Sequence, residues 1–251
     1  MHTIAIIAQK GGTGKTTTAH ATGAGLARRG YKVLLIDADA QGNLTYAVGA
    51  DGKRAGTYEI LTRQTTAADT IQAAPPVDIL TASPSLALAD LTINQAGREY
   101  RMREALQAIA GRYDYCIIDT PPALGTLTVN ALTAASTAVI TAQADIFSLQ
   151  AIGALSATIE AIRQHSNLGL TVGGILLTRY NPRTIISRDM LELLADTARR
   201  LDTKVYAATI REATAVKEAQ AMRQDIYQYS PTSNAAADYT AFIGELLGGT
   251  T

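Results

Sequence analysis

The 251 residues carry 22 basic and 22 acidic side chains, so overall charge selects no nucleic-acid or membrane partner, and any such contact must be a local patch. The chain is 47% hydrophobic, enough for a sizeable core, but with 5% aromatic residues and no Trp that core must be aliphatic and rich in alanine. One cysteine, Cys116, excludes an internal disulfide framework, and the scattered His2, His20 and His165 suggest no metal cluster. The first apolar run is too short for a signal peptide and no window approaches a transmembrane span, which points to the cytoplasm.

The chain opens with an apolar run at 4–8 that reads as a buried strand, then Lys10-Gly11-Gly12-Thr13-Gly14-Lys15-Thr16-Thr17, then a helix rich in Ala, Gly and Thr at 17–29. Strand, glycine loop, Lys-Thr and helix together form a phosphate-binding loop. Gly11, Gly12 and Gly14 let consecutive amides approach phosphate oxygens, and the helix start adds unpaired N–H groups and a dipole. Lys15 supplies charge to the β- and γ-phosphates of ATP, and Thr16 is the expected Mg²⁺ ligand. Gln9 replaces the first glycine of the usual pattern, and Lys10 adds a second lysine, which makes this the deviant form of the loop. Small residues let the helix approach its sheet closely, and Arg28-Arg29-Gly30 ends it.

Further apolar runs at 32–36, 77–80, 115–118, 138–141, 174–178 and 205–210 alternate with helical segments. Continuous apolar strands between helices imply a three-layer α/β fold, a doubly wound, mostly parallel sheet with helices on both faces, in one domain spanning 1–251. The polar stretch 51–76 reads as helix plus surface loop. Run 32–36 leads into Asp37-Ala38-Asp39-Ala40-Gln41-Gly42-Asn43, and run 115–118 into Asp119-Thr120-Pro121-Pro122. Ligands gather at the carboxyl ends of such strands, so these acids face the phosphate loop. Asp37 is expected to hold Mg²⁺ through water, Asp39 to orient the attacking water and Asp119 to be the second carboxylate on the magnesium side.

These three motifs resemble the ParA/MinD family of deviant phosphate-loop ATPases, most closely its ParA (Soj-like) branch. The likeness runs through nearly the whole chain and departs at Ala40, where that family usually has proline. The resemblance implies an ATP-dependent homodimer in which Lys10 reaches the nucleotide of the opposite subunit, making Lys10, Lys15 and Asp39 the catalytic set. It implies adenine contacts from Thr178, Arg179 and Pro182, although a plain strand-end loop would carry the same residues. It also implies non-specific DNA binding through the later part of the fold, with Arg183, Arg188, Arg211, Lys217 and Arg223 as candidates. Residues 175–225 hold nine basic against seven acidic side chains, so a solvated helical face is an equal alternative.

Residues 184–201 read as a helix with Ile186, Met190, Leu193, Thr197 and Leu201 as its apolar stripe. The tail helix, 238–247, has Asp238 and Glu245 as its charges, lacks the cations a membrane-surface helix needs, and is expected to pack on the core. The implied activity is an ATP-hydrolysing switch in plasmid or chromosome partition, nucleoid-associated and stimulated by a ParB-like centromere-binding partner. A MinD- or McdA-like positioning ATPase for another cargo uses the same motifs, and a small-molecule ATP-dependent ligase of the superfamily is the rival from another class. The iron–sulfur reductase branch needs two cysteine ligands per subunit, and this chain has one cysteine.

Overall fold

The computed structural model describes residues 1–181 and 185–248, with backbone alone at 185–189. Among the described residues eight strands form one sheet: β1 (His2–Ile7), β2 (Val33–Asp37), β3 (Gln72–Ala74), β4 (Val77–Leu80), β5 (Tyr115–Asp119), β6 (Thr137–Ala142), β7 (Thr171–Tyr180) and β8 (Ile210–Arg211). Their order is β3-β4-β2-β5-β1-β6-β7-β8, and every pairing is parallel except β3 with β4. The helices are α1 (Lys15–Arg28), α2 (Asn43–Ala47), α3 (Thr57–Leu61), α4 (Ala67–Thr70), α5 (Ala89–Thr92), α6 (Arg101–Gln107), α7 (Thr126–Ala134), α8 (Ile146–His165), α9 (Ile185–Arg200), α10 (Thr214–Ala221), α11 (Ile226–Tyr229) and α12 (Asn234–Leu246).

Alternation along the strands builds two cores. Ala5 and Ile7 of β1, Leu34 and Ile36 of β2, and Cys116 and Ile118 of β5 face one layer, packed under α6, α7, α8 and α9. Ile4, Ile6, Val33, Leu35 and Ile117 face the other, under α1, α11 and α12. With both faces covered, both sets of alternating positions along a central strand are mostly apolar, which is why these strands read as near-continuous runs. The tail helix buries Tyr239, Phe242 and Ile243, as its sequence indicated. Small residues bring α1 close to its neighbours: a Cβ at Gly23 would lie 2.5 Å from Leu35 Cδ2, and one at Gly25 2.3 Å from Ile243 Cδ1, so either would make those side chains shift. No described helix is long and apolar enough to cross a membrane.

Three expectations are corrected. The stretch 51–76 contains α3 and α4 but ends in the antiparallel edge strand β3, where Gln72-Ala73-Ala74 lacks the β-branched residues that signal a strand. The seventh run is strand only at Ile210–Arg211, with Val205 forming an isolated bridge to Ile175. In α9 the buried stripe is Met190, Leu194 and Ala198, joined by Leu201 just beyond the helix, while Leu193 is exposed. The side chain of Ile186 lies outside the described residues.

Candidate functional site

The carboxyl ends of β1, β2 and β5 adjoin at the centre of the sheet and place the loop and the acids together. Gly12 and Gly14 have φ of 76° and 81°, and Gly14 turns directly into α1. No side chain caps α1, so its first amides and dipole open onto the space above the strand ends. That space is a cleft of about 530 Å³. Gly11, Gly12, Gly14, Lys15, Thr16, Thr17 and Asp39 lie on its phosphate-loop side, and Thr178 and Arg179 on another wall.

Buried hydroxyls brace the loop from below. Thr178 Oγ1 donates to Thr13 O at 2.7 Å, and the Thr13 and Thr141 hydroxyls meet at 3.0 Å. Gln143 Nε2 donates to Gly12 O at 2.7 Å. Thr13 therefore faces the protein interior rather than the cleft. The Thr178 side chain acts first as a brace, with its hydroxyl committed to the backbone.

Asp37 and Asp119 are register partners at the ends of β2 and β5, and both are fully buried. Asp37 Oδ2 accepts from Thr45 N and Thr45 Oγ1, each at 2.8 Å, and Asp37 Oδ1 accepts from Asp39 N at 3.2 Å. These bonds fold the Asp37–Asn43 turn onto the site. Asp119 is different, because neither of its oxygens has a hydrogen-bond partner. Burial raises the Asp37 carboxyl to about 6, against the lowering effect of the Thr45 bonds. Burial and then repulsion by Asp37 push Asp119 well above the carboxylate range, with the nearby Thr16 hydroxyl and Lys15 opposing. Burial also pulls the Lys15 ammonium below its ordinary value, opposed by Asp119 and Asp39.

The site is short of positive charge. An unpartnered buried carboxylate beside a second one and a threonine hydroxyl is the hard-oxygen donor set that Mg²⁺ prefers when phosphates complete its shell. The residues fit that ion. Asp39, half-buried at the cleft edge, accepts from Gln41 N at 3.0 Å through Oδ1.

Lys10 departs from the rest of the loop. Its ammonium pairs with Asp145 Oδ2 at 2.6 Å and lies 5.7 Å from the Phe147 ring. It borders a separate small cavity with Thr13, Ile140 and Ile152, not the cleft that Lys15 serves.

The far wall of the cleft was not read from sequence. Ile210, Ala213 and Val216 give it apolar surface, and Gln220 Nε2 donates to Thr17 Oγ1 at 2.9 Å. Arg179, with φ of 51°, pairs with Glu212 at 2.7 Å. The signal available was position, since this segment leaves β8 at the same edge of the sheet.

Of the candidate DNA cations with described side chains, Arg211 and Lys217 border the same cleft. Arg211 pairs with Asp238, Nη2–Oδ1 at 2.6 Å and Nε–Oδ2 at 3.0 Å, keeps 42% of its side chain exposed, and lines the cleft. Lys217 lines the same cleft, and Arg223 stacks on Tyr46 at 4.6 Å. Pro182 and Arg183 lie outside the described residues, as does the side chain of Arg188.

The chain has relatives among known proteins. Residues 1–172 match the AAA domain family. The sporulation initiation inhibitor protein Soj of Bacillus subtilis is 37% identical over 249 residues, covering 97% of each chain. The chromosome partitioning protein ParA of Caulobacter vibrioides is 35% identical over 254 residues, 98% of this chain and 94% of that one. A Mycobacterium smegmatis structure described as cobyrinic acid a,c-diamide synthase with bound ADP and magnesium superposes with a TM-score of 0.85 at 33% identity, over 98% of this chain and 94% of that chain.

Proposed function

The chain belongs to the ParA/Soj family of partition ATPases, and on that premise we propose that it is an ATP-hydrolysing switch for plasmid or chromosome partition, one ATPase domain spanning 1–251. Lys15 and the amides of the loop and of the α1 start hold the ATP phosphates. Thr16 and Asp119 would hold Mg²⁺, with Asp37 supplying charge from the adjacent strand through water. When bound, the metal neutralises charge on the phosphates. Asp39 orients the attacking water, and the apolar wall at Ile210, Ala213 and Val216 shelters the base beside Thr178 and Arg179.

The observation that carries this reading is the direction of Lys10. Within its own subunit it is turned away from the cleft. A lysine so placed reaches a nucleotide across a face-to-face homodimer, where it neutralises charge on the transferring phosphoryl group. Pairing then depends on the γ-phosphate, and hydrolysis removes the differential affinity that held the dimer. The dimer binds DNA without sequence preference, a ParB-like partner stimulates turnover, and ADP releases the subunits into the cytoplasm from the nucleoid. Lys217, whose nearest acid Glu212 is 3.9 Å away, and Arg223 are the exposed described candidates for phosphate contact, with Arg211 holding the closer pair to Asp238.

Duplex-DNA binding measured with ADP, ATP and a non-hydrolysable analogue across a salt series tests the proposal. Binding restricted to triphosphate and falling steeply with salt supports it; equal binding with ADP refutes it. A second reading, ATP-dependent amidation of a small carboxylate, comes from the description of the M. smegmatis protein. Turnover that requires an acid acceptor and ignores DNA would favour that reading.

A further inference from the structure

We propose that Asp145 is a positioning residue that parks Lys10 inside its own subunit, so that two subunits pair only after this ion pair opens. The inference rests on the reading of Lys10 as a lysine donated across the dimer. The two halves of the Asp145 carboxylate do different work. Oδ1 accepts from Ser148 N at 2.9 Å and caps α8, a helix of 20 residues. Oδ2 accepts from Lys10 Nζ at 2.6 Å. The segment entering α8 is anchored to the loop a second time through Gln143 and Gly12 O, so Asp145 is held at a fixed distance from the loop.

Both partners retain partial solvent access, 30% for Lys10 and 28% for Asp145, so the pair is reversible rather than sealed. Ile146 and Phe147 stand exposed beside it, and the Phe147 ring gives the ammonium a second favourable contact on the same side. A lysine held this way is absent from the pairing-competent population. The apparent dimer affinity therefore falls by the fraction of lysines that are free, once for each subunit. A partly exposed charged pair shifts such an equilibrium by roughly fivefold. Two pairs open per dimer, so the effect on the dimer dissociation constant is about 25-fold.

Asp145→Asn keeps the Oδ1 cap and replaces the acceptor facing Lys10 with an amide donor. Dimer dissociation constants are measured by analytical ultracentrifugation with the non-hydrolysable analogue AMPPNP for wild type, Asp145→Asn and Asp145→Ser, the last a second capping residue. Both variants should pair at least about fivefold more tightly, with the gap narrowing as salt rises and screens the wild-type pair. Their affinity for ADP as monomers should match wild type and their melting temperatures should fall by no more than about 4 °C, the loss of one partly exposed ion pair, which separates release of Lys10 from a general structural effect. Pairing equal to or weaker than wild type in both variants overturns the inference, and so does a gap that salt leaves untouched. Lys10→Ala distinguishes the two levels: normal pairing and turnover in that variant would remove the cross-dimer reading itself. Loss of turnover in Lys10→Ala together with unchanged pairing in Asp145→Asn would remove the Asp145 inference alone.

Discussion

Replacing Asp119 with asparagine should stabilise the nucleotide-free protein while abolishing its use of magnesium. Both Asp119 oxygens are buried without a partner, next to Asp37 at the end of the neighbouring strand. A carboxyl whose folded pKa lies above its unfolded value contributes stability that is full below the unfolded pKa and lost as pH rises through the folded one. For Asp37, raised from 3.8 to about 6, that loss is on the order of 3 kcal/mol by pH 7. Asp119, raised further by burial and by Asp37, adds to the same loss over a window reaching higher in pH. The asparagine amide is a neutral isostere of the protonated acid, so Asp119→Asn should match wild type only below the unfolded pKa of 3.8 and exceed it by a margin that widens from pH 5 to pH 8. Removing an unsatisfied buried charge returns about 1–3 kcal/mol, which for a chain of this size raises the melting temperature by roughly 2–10 °C. Scanning calorimetry of both proteins at pH 5 and pH 8, with and without Mg²⁺-ATP, tests this, and wild type alone should gain strongly from Mg²⁺-ATP. A variant that melts at or below wild type at pH 8 would refute the assignment of unrelieved charge to this carboxylate.

Other changes test the remaining roles. Lys15→Ala should abolish nucleotide binding, whereas Asp39→Ala should keep ATP binding and lose turnover; normal turnover by the latter would return Asp39 to an ordinary turn residue. Thr178→Val removes the donor to Thr13 O and leaves a buried carbonyl unpaired, a cost of about 1–3 kcal/mol, so ATP affinity measured by fluorescent-nucleotide titration should fall at least about fivefold. Unchanged affinity would show that the loop does not depend on that brace. Gly25→Ala forces a methyl against Ile243 and the Tyr227 hydroxyl and should lower stability by about 1–3 kcal/mol in urea titration, a result that a neutral substitution would contradict.

The central strands were legible because both faces of each are buried, which leaves an uninterrupted apolar run in the sequence. β3 was not, being three residues at a sheet edge whose pairing is set by the turn at Pro75-Pro76 rather than by its own propensity. In α9, Leu193 and Leu194 both continue a helical repeat from Met190, and only the packed structure says which one is inside. The loop, Asp37, Asp39 and Asp119 were readable because each stands in a local motif at a strand end. Asp145 and Gln220 were not, because Asp145 meets Lys10 across 135 residues and Gln220 meets Thr17 across 203. The Arg211–Asp238 pair was hidden for the same reason: Asp238 belongs to a helix that sequence alone could only place on the core.

The most direct test of the account mixes two inactive variants. Lys10→Ala retains its own loop and Asp39, while Asp39→Ala retains a lysine to donate. If Lys10 acts across the dimer, equimolar mixing should restore turnover up to about a quarter of wild type, because random pairing of a two-fold dimer makes half the molecules mixed with one complete site each. A mixture as inactive as its components would contradict the claim that the two subunits share one catalytic lysine per site.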